Sequence, residues 1–235
     1  MLLLDVKNRT WSAEMAKICH VKSEWLPKLY ESYEAVGAIK SEIAEELGLD
    51  KSVLVCAGAG DNAAAAIGTG TVKDGSCNIS LGTSGTVFIS KDSFSVDSAN
   101  ALHSFCHANG SYHLMGCILS AASCNKWWME NVLETGDYSG EQEGLERYLG
   151  KNSVFFLPYL MGERSPHNDV NARGCFIANI GKSDEVAEGR HAVSAAGADV
   201  SAGQGILVQA FHIFHKAGLL QFQRKHLAHS GGGGR

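Results

Sequence analysis

VLVCAGAGDNAAAAIGTGTVKDGSCNISLGTSGTVFIS (Val53–Ser90) decides the fold, because it holds two turns of different chemical character in quick succession. A valine-rich apolar run, Val53–Ala57, ends in Gly58-Ala59-Gly60 and then presents Asp61-Asn62. Such a continuous run predicts a buried strand of an α/β sheet. The alanine-rich stretch Asn62–Ile67 predicts a helix, closed by Gly68-Thr69-Gly70. A second apolar run, Cys77–Leu81, turns through Gly82-Thr83-Ser84-Gly85 and continues as Thr86–Ser90, which predicts a hairpin. A lone carboxylate where a strand opens into small residues suits a general base that a small substrate can approach closely. A turn of glycines and hydroxyls suits a phosphate cradle built from backbone N–H groups. Together they point to phosphoryl transfer.

Each of these residues also has a plainer reading. Asp61 stands where an aspartate caps a helix. Asn62 suits either a substrate hydroxyl or a backbone partner. Gly82–Gly85 also reads as an ordinary hairpin connection, and it is no Walker A loop, since no Gly-Lys-Ser/Thr comes after it. His103, Cys106 and His107 invite a metal reading, but Cys106 falls on the opposite strand face from the two histidines, and no second pair stands at a zinc-like spacing. No metal ligand is assigned.

Outside this stretch the chain adds helices and a second hairpin. Leu2–Val6 predicts a short strand and Trp11–Cys19 a short helix, with Pro27 interrupting the next segment. Ser41 is placed to cap a helix through Leu47, with Gly48 in the left-handed position after it. Leu102–Ala108 and Tyr112–Gly116 flank Asn109-Gly110, a strong hairpin signal. Ile118–Leu133 predicts a helix with Trp128/Val132 and Met129/Leu133 on one apolar face, and Glu141–Leu149 a shorter one. Val154–Leu157 reads as a strand broken by Pro158. A domain boundary is expected near residues 70–75, between the two turns, with a cleft there.

Composition narrows the class. With 235 residues, 45% of them hydrophobic, the chain has material for one substantial domain or two modest ones. A net charge of −5 and 19% charged residues give no broad basic surface for nucleic acid. The opening Met-Leu-Leu-Leu is cut short by Asp5 and Lys7, and no apolar run approaches the roughly 18 residues that span a bilayer. Seven irregularly spaced cysteines fit a reducing compartment rather than a disulfide framework. A soluble, cytoplasmic protein without nucleic-acid or membrane partners is expected.

The motifs GAGDNAAAA and SLGTSGTVF resemble the FGGY carbohydrate kinases, two-domain sugar kinases of the actin-like ATPase (ribonuclease H-like) fold. LHSFCHANGSYHLMGCILSAASCNKWW (Leu102–Trp128) and FFLPYLMGERSPHNDVNARGCF (Phe155–Phe176) are more similar to the branch acting on D-xylulose than to those acting on glycerol or gluconate. LLLDVKNRTWSAEM, at the start, resembles the late part of the family's first domain. The resemblance implies ATP and Mg²⁺, with D-xylulose phosphorylated to D-xylulose 5-phosphate. It implies Asp61 as the catalytic base, Asp61 and Asn62 as sugar ligands, and Gly82, Thr83, Ser84 and Gly85 as nucleotide ligands. Glu163–Asp169 is expected to form a loop ordering the nucleotide side or the domain interface. Residues 1–72 are expected to end a sugar-binding domain and 73–180 to begin a nucleotide-binding one.

The likeness also implies a piece of a longer enzyme, whose first phosphate loop and metal-positioning acid lie upstream of Met1. These 235 residues alone are therefore expected not to turn over D-xylulose. From residue 181 onward glycines interrupt any helical period, so 181–235 are expected to be divergent or poorly ordered, although Gly231–Gly234 is similar to the family's adenosine motif. Two alternatives stay open: a kinase for another ketose or polyol, and a non-catalytic truncated product. Self-association into a homodimer stays open as well.

Overall fold

The computed structural model describes residues 2–144 and 154–178. At its centre is an antiparallel sheet of four strands: β5 (Cys77–Leu81), β6 (Gly85–Lys91), β7 (His103–Cys106) and β8 (Tyr112–Ile118), in the order β5-β6-β8-β7. Both predicted hairpins are present. Leu81 pairs with Gly85 across the first turn, and Cys106 with Tyr112 across the second. β6 is the buried strand, with Val87, Phe88 and Ile89 each 1% exposed. Leu114 and Ile118 of β8 complete this layer.

The helix expected to begin at Ile118 begins later. Ile118 ends β8, and α4 spans Ala122–Trp127, continuing through a π-helical turn at Trp128–Val132. The delay has a cause: the backbone N–H of Leu119 is taken by Glu163, and that of Ala121 by Thr83. Trp128 and Met129 are buried, as the four-residue spacing predicts, but Val132 is exposed. Strands β9 (Val154–Leu157) and β10 (Cys175–Ala178) pair antiparallel, and their Phe156 and Phe176 rings stack 4.6 Å apart. Trp127 stacks on Phe156, and Trp128 tilts against Phe176, so this ribbon packs on α4 through aromatic rings. Of the predicted helix Glu141–Leu149, the described part is a 3₁₀ turn at Gly140–Gln142, and the rest lies outside the described residues.

The first seventy residues form smaller pieces. β1 (Leu4–Asp5) pairs with β2 (Thr10–Trp11), so Trp11 belongs to a strand rather than to the helix predicted there. α1 (Ala13–Ile18) is capped by the Ser12 hydroxyl, which accepts from Met15 N–H. α2 (Ser41–Leu47) has Lys40, not Ser41, at its N-cap, and ends at Gly48 with φ of 65° as predicted. β3 (Ala35–Ala38), which the sequence pattern did not suggest, pairs with β4 (Leu54–Cys56). β4 is not buried as its apolar run predicts: Leu54 is 64% exposed, because the described residues give this ribbon one neighbour strand and no covering layer. α3 (Asp61–Gly68) comes next, with Ala63 and Ala66 inward. Two side-chain bonds lay α3 along the first hairpin: Thr86 to Asn62 at one end and Asn78 to Thr69 at the other. Among the described residues no helix is long and apolar enough to cross a membrane.

His113 sits in the core of the central sheet, 4% exposed, with its ring stacked on Phe88 at 4.0 Å and near Phe105 at 5.2 Å. Its Nδ1 has no partner among the described residues. Burial first, and the neighbouring His107 second, lower its pKa to about 3 from the ordinary 6.5. The folded ring stays neutral while an unfolded one gains a proton below about pH 6.5. Folding stability should therefore fall as pH drops through the window from about 6.5 to about 3. Urea midpoints at pH 7.5 and pH 5 should differ, and His113→Phe, which keeps the stacked ring, should lessen the difference by up to about 1.4 kcal/mol per pH unit crossed. An unchanged slope would show that other groups carry it.

Candidate active site

The chain approaches Asp61 along a pinned path. Ala57 N–H donates to Glu34 O and Gly58 N–H to Ser32 O, and Gly58 takes a φ of 79° that favours glycine. Gly60 occupies the N-cap of α3 without a side-chain cap, so Asp61 opens the first turn and is not the cap residue. Its carboxylate is exposed. Oδ1 accepts two bonds from Asn62, from the backbone N–H at 2.8 Å and from Nδ2 at 3.2 Å. Oδ2 carries no hydrogen bond among the described residues. The Asn62 side chain has a second contact, its Oδ1 accepting the Thr86 hydroxyl at 2.9 Å. Thr86 stands one residue beyond the Gly82–Gly85 turn. The two predicted sites therefore meet.

The turn is held from behind through its carbonyls. Ala122 N–H donates to Gly82 O at 2.9 Å, Ala121 N–H to Thr83 O at 2.9 Å, and the Ser123 hydroxyl to Thr83 O at 2.9 Å. Ser84 O accepts from Gly82 N–H at 3.0 Å. No hydrogen bond among the described residues uses the backbone N–H or hydroxyl of Thr83 or Ser84, and both residues are exposed. A turn with its acceptors satisfied and the donors of Thr83 and Ser84 open is arranged for an anion.

Behind Ala121 stands a residue whose individual role the sequence left unassigned. Glu163 is 2% exposed, and its Oε1 accepts Leu119 N–H at 3.1 Å and Arg164 N–H at 2.7 Å. Burial pushes its carboxyl pKa up, and those two backbone donors pull it partly back. Ser165 adds a second clasp: its N–H donates to Cys117 O, its hydroxyl donates to Ala101 O and accepts from Cys117 N–H. The Glu163–Asp169 loop, closed by paired backbone bonds between those two residues, thus fixes the segment that fixes the turn.

A cleft of about 330 Å³ opens on the other flank of Gly58–Gly60, lined also by Ala63, Arg9 and Glu31. Arg9 pairs with Glu31 and donates to the carbonyls of Gly110 and Ser111, so it ties the first residues to the second hairpin. Residues 70–75 do not line this cleft; Thr71 is buried with its carbonyl 3.0 Å from His107 Nε2. Among the described residues no group of three His, Cys, Asp or Glu side chains is placed to hold a cation.

Comparison with known proteins finds matches over both parts of the chain. Residues 1–68 match the N-terminal domain of the FGGY family of carbohydrate kinases, and residues 77–235 match its C-terminal domain. The second match also takes in residues 181–235, which were expected to be divergent and which lie outside the described residues. A xylulose kinase of Escherichia coli (strain K12) is 41% identical over 186 residues, covering 74% of this chain and 36% of that protein. The chain thus spans about a third of the length of such relatives. A solved xyloylose kinase from Brucella ovis has a TM-score of 0.75 at 38% identity, covering 90% of this chain and 43% of its own. A gluconate kinase from Lactobacillus acidophilus has the same TM-score at 25% identity, covering 92% and 42%.

The Glu163 clasp is open to direct measurement. Glu163→Ala leaves two backbone donors without their acceptor, at a cost of about 1–3 kcal/mol each. Amide exchange at Leu119 and at Ala121–Ser123 should quicken in that variant, while Glu163→Gln, which keeps an acceptor oxygen, should stay nearer the wild type. Equal protection in Glu163→Ala would mean the turn is held without this residue.

Proposed function

Since the chain belongs to the FGGY family of carbohydrate kinases, we propose that it carries the base and one phosphate-binding turn of an ATP-dependent kinase converting D-xylulose to D-xylulose 5-phosphate. The observation that carries this reading is the bond from Thr86 to Asn62, which ties the Asp61–Asn62 pair to the strand residue directly after a turn whose Thr83 and Ser84 donors are open. Relatives described as xylulose kinases support the choice of sugar. The two family matches fall either side of residues 69–76, which supports a sugar-binding part over residues 1–72 and a nucleotide-binding part from 73 to 180. The cytoplasm is the proposed compartment.

In this mechanism the sugar hydroxyl attacks the γ-phosphorus of ATP while Asp61 Oδ2 takes its proton. A bond forms between the sugar oxygen and phosphorus, the bond from phosphorus to the β-phosphate oxygen breaks, and ADP leaves. The N–H groups and hydroxyls of Thr83 and Ser84 hold phosphate oxygens, so the γ-phosphate is presented in line. Asn62 keeps one Nδ2 hydrogen for a sugar hydroxyl after donating the other to Asp61. The family implies Mg²⁺, which when bound neutralises phosphate charge; the described residues do not build its site, and no step here runs through it. A second reading, a kinase for another ketose or polyol rather than D-xylulose, stays open, since a gluconate kinase with the same TM-score shows that this fold is not confined to one sugar.

In a full-length enzyme carrying this segment, Asp61→Asn should keep nucleotide binding and lose at least nine-tenths of its turnover, a factor equal to about 1.4 kcal/mol or more. Steady-state ADP release with D-xylulose, D-ribulose, glycerol and gluconate would identify the acceptor at the same time. Turnover above a tenth of wild type would remove Asp61 as the base.

Gly82→Val separates the nucleotide site from the sugar site. Gly82 does not need a left-handed backbone, and a Cβ there would stand 3.5 Å from Ser84 O, an ordinary contact, so the fold should survive. The added side chain should raise the KM for ATP several-fold and leave that for the sugar within twofold. A loss confined to the sugar would remove the turn as the nucleotide ligand.

A further inference from the structure

Asn62 amide orientation is settled by its neighbours. A carboxylate oxygen only accepts, so the group facing Asp61 Oδ1 must be the NH₂, at 3.2 Å. The amide oxygen then faces Thr86, whose hydroxyl must donate, at 2.9 Å. The hydrogen bonds therefore run in one direction, from Thr86 Oγ1 to Asn62 and from Asn62 to Asp61. With the Asn62 backbone N–H also on Oδ1, one carboxylate oxygen is saturated and the other is left open. Thr86 lies in β6, paired with Ser80 on one side and Cys117 on the other, and its neighbour Val87 is fully buried. It is a fixed donor on a fixed strand. Asp61 and Asn62 stand on a short helix whose other side-chain hydrogen bond to the hairpin, among the described residues, is the Asn78–Thr69 bond at its far end.

We propose that Thr86 is a positioning residue for the phosphoryl transfer: through Asn62 it fixes the rotamer of Asp61, so that Oδ1 is held and Oδ2 meets the sugar hydroxyl in register with the phosphate-binding turn. This rests on the reading of Asp61 as the base. The neighbourhood of the two elements alone does not supply that register, because an exposed aspartate in the first turn of a helix otherwise samples several χ1 and χ2 values. Thr86 touches neither substrate. Its effect appears in the fraction of bound complexes that have the carboxylate aligned, so it belongs to kcat rather than to either KM.

The test uses a full-length enzyme carrying this segment. Thr86→Val replaces the hydroxyl by a methyl of similar size and keeps a β-branched strand residue. It should lower kcat about fivefold to tenfold, the worth of one hydrogen bond of this kind, and leave both KM values within twofold. Thr86→Ser, which keeps the donor, should return kcat to within twofold of wild type. In an Asn62→Ala background, Thr86→Val should add less than a twofold loss, since the chain of bonds is already broken. Asn78→Ala breaks the other bond between α3 and the hairpin and should leave kcat unchanged. Should Thr86→Val fail to fold, Thr86→Ala removes the same donor and carries the same expectation. If Asn78→Ala lowers kcat as much as Thr86→Val does, the bonds only hold the helix down and the proposal is overturned. If Thr86→Val keeps full kcat while Asp61→Asn abolishes turnover, the proposal fails and the base reading stands. If Asp61→Asn stays active, the base reading fails first and takes this inference with it.

Discussion

The carbonyl oxygens of Gly82 and Thr83 are bound from behind by the backbone at Ala121 and Ala122, and the character of the site depends on that arrangement. A tight turn has as many acceptors as donors, and an anion is attracted only if the acceptors point elsewhere. Here four N–H or O–H donors from residues 121–123 take the carbonyls of Gly82 and Thr83, which leaves the donors of Thr83 and Ser84 open. The turn is electropositive by subtraction. No lysine or arginine lies within it, so its attraction for phosphate rests on the geometry of a segment nearly forty residues downstream.

That segment owes its position to two layers. Beneath it, β8 pairs with the buried β6, and the aromatic stack of Trp127, Trp128, Phe156 and Phe176 holds α4 against the β9–β10 ribbon. Beside it, Glu163 and Ser165 take the backbone groups of Leu119 and Cys117 that the end of a strand leaves unpaired. A buried carboxylate is costly unless its oxygens are engaged, and Oε2 of Glu163 has no partner among the described residues. The raised pKa is the mark of that cost. What Glu163 holds is backbone, and that backbone braces the turn.

Local chemistry was legible in the sequence where the structure depends on neighbours close along the chain. Asn109-Gly110 and Gly82–Gly85 mark real hairpins, Gly48 takes the left-handed conformation, and Trp128 and Met129 face inward at the expected spacing. The features that escaped are set by distant partners. The late start of α4 comes from Glu163, 44 residues after Leu119. β3 is four exposed residues, Ala35–Ala38, with no alternation to reveal it, and it exists because β4 pairs with it. The apolar Val53–Ala57 run reads as buried, yet the described residues cover neither face of it. In the candidate site, Asp61, Asn62 and the turn were each readable, but the Thr86 hydroxyl that joins them was one threonine in a strand with nothing in its spacing to distinguish it.

The geometry also explains why the two halves of the site need a tie of this kind. Phosphoryl transfer asks for an attacking oxygen, a proton acceptor and a phosphorus held in line to within a few tenths of an ångström, and a misplacement of about 1 Å costs about a hundredfold in rate. Asp61 is on a helix reached through three small residues, whereas the turn is on the strand pair at the centre of the sheet. Burial of Ala63 and Ala66 favours a packed helix but, being non-directional, leaves it free to slide. The directional hydrogen bond from Thr86 to Asn62 removes that freedom at the end that carries the carboxylate, whereas the Asn78–Thr69 bond only anchors the far end. The end that carries the carboxylate is also the end where the bond runs on into the carboxylate itself, so the contact that sets the register also sets the rotamer.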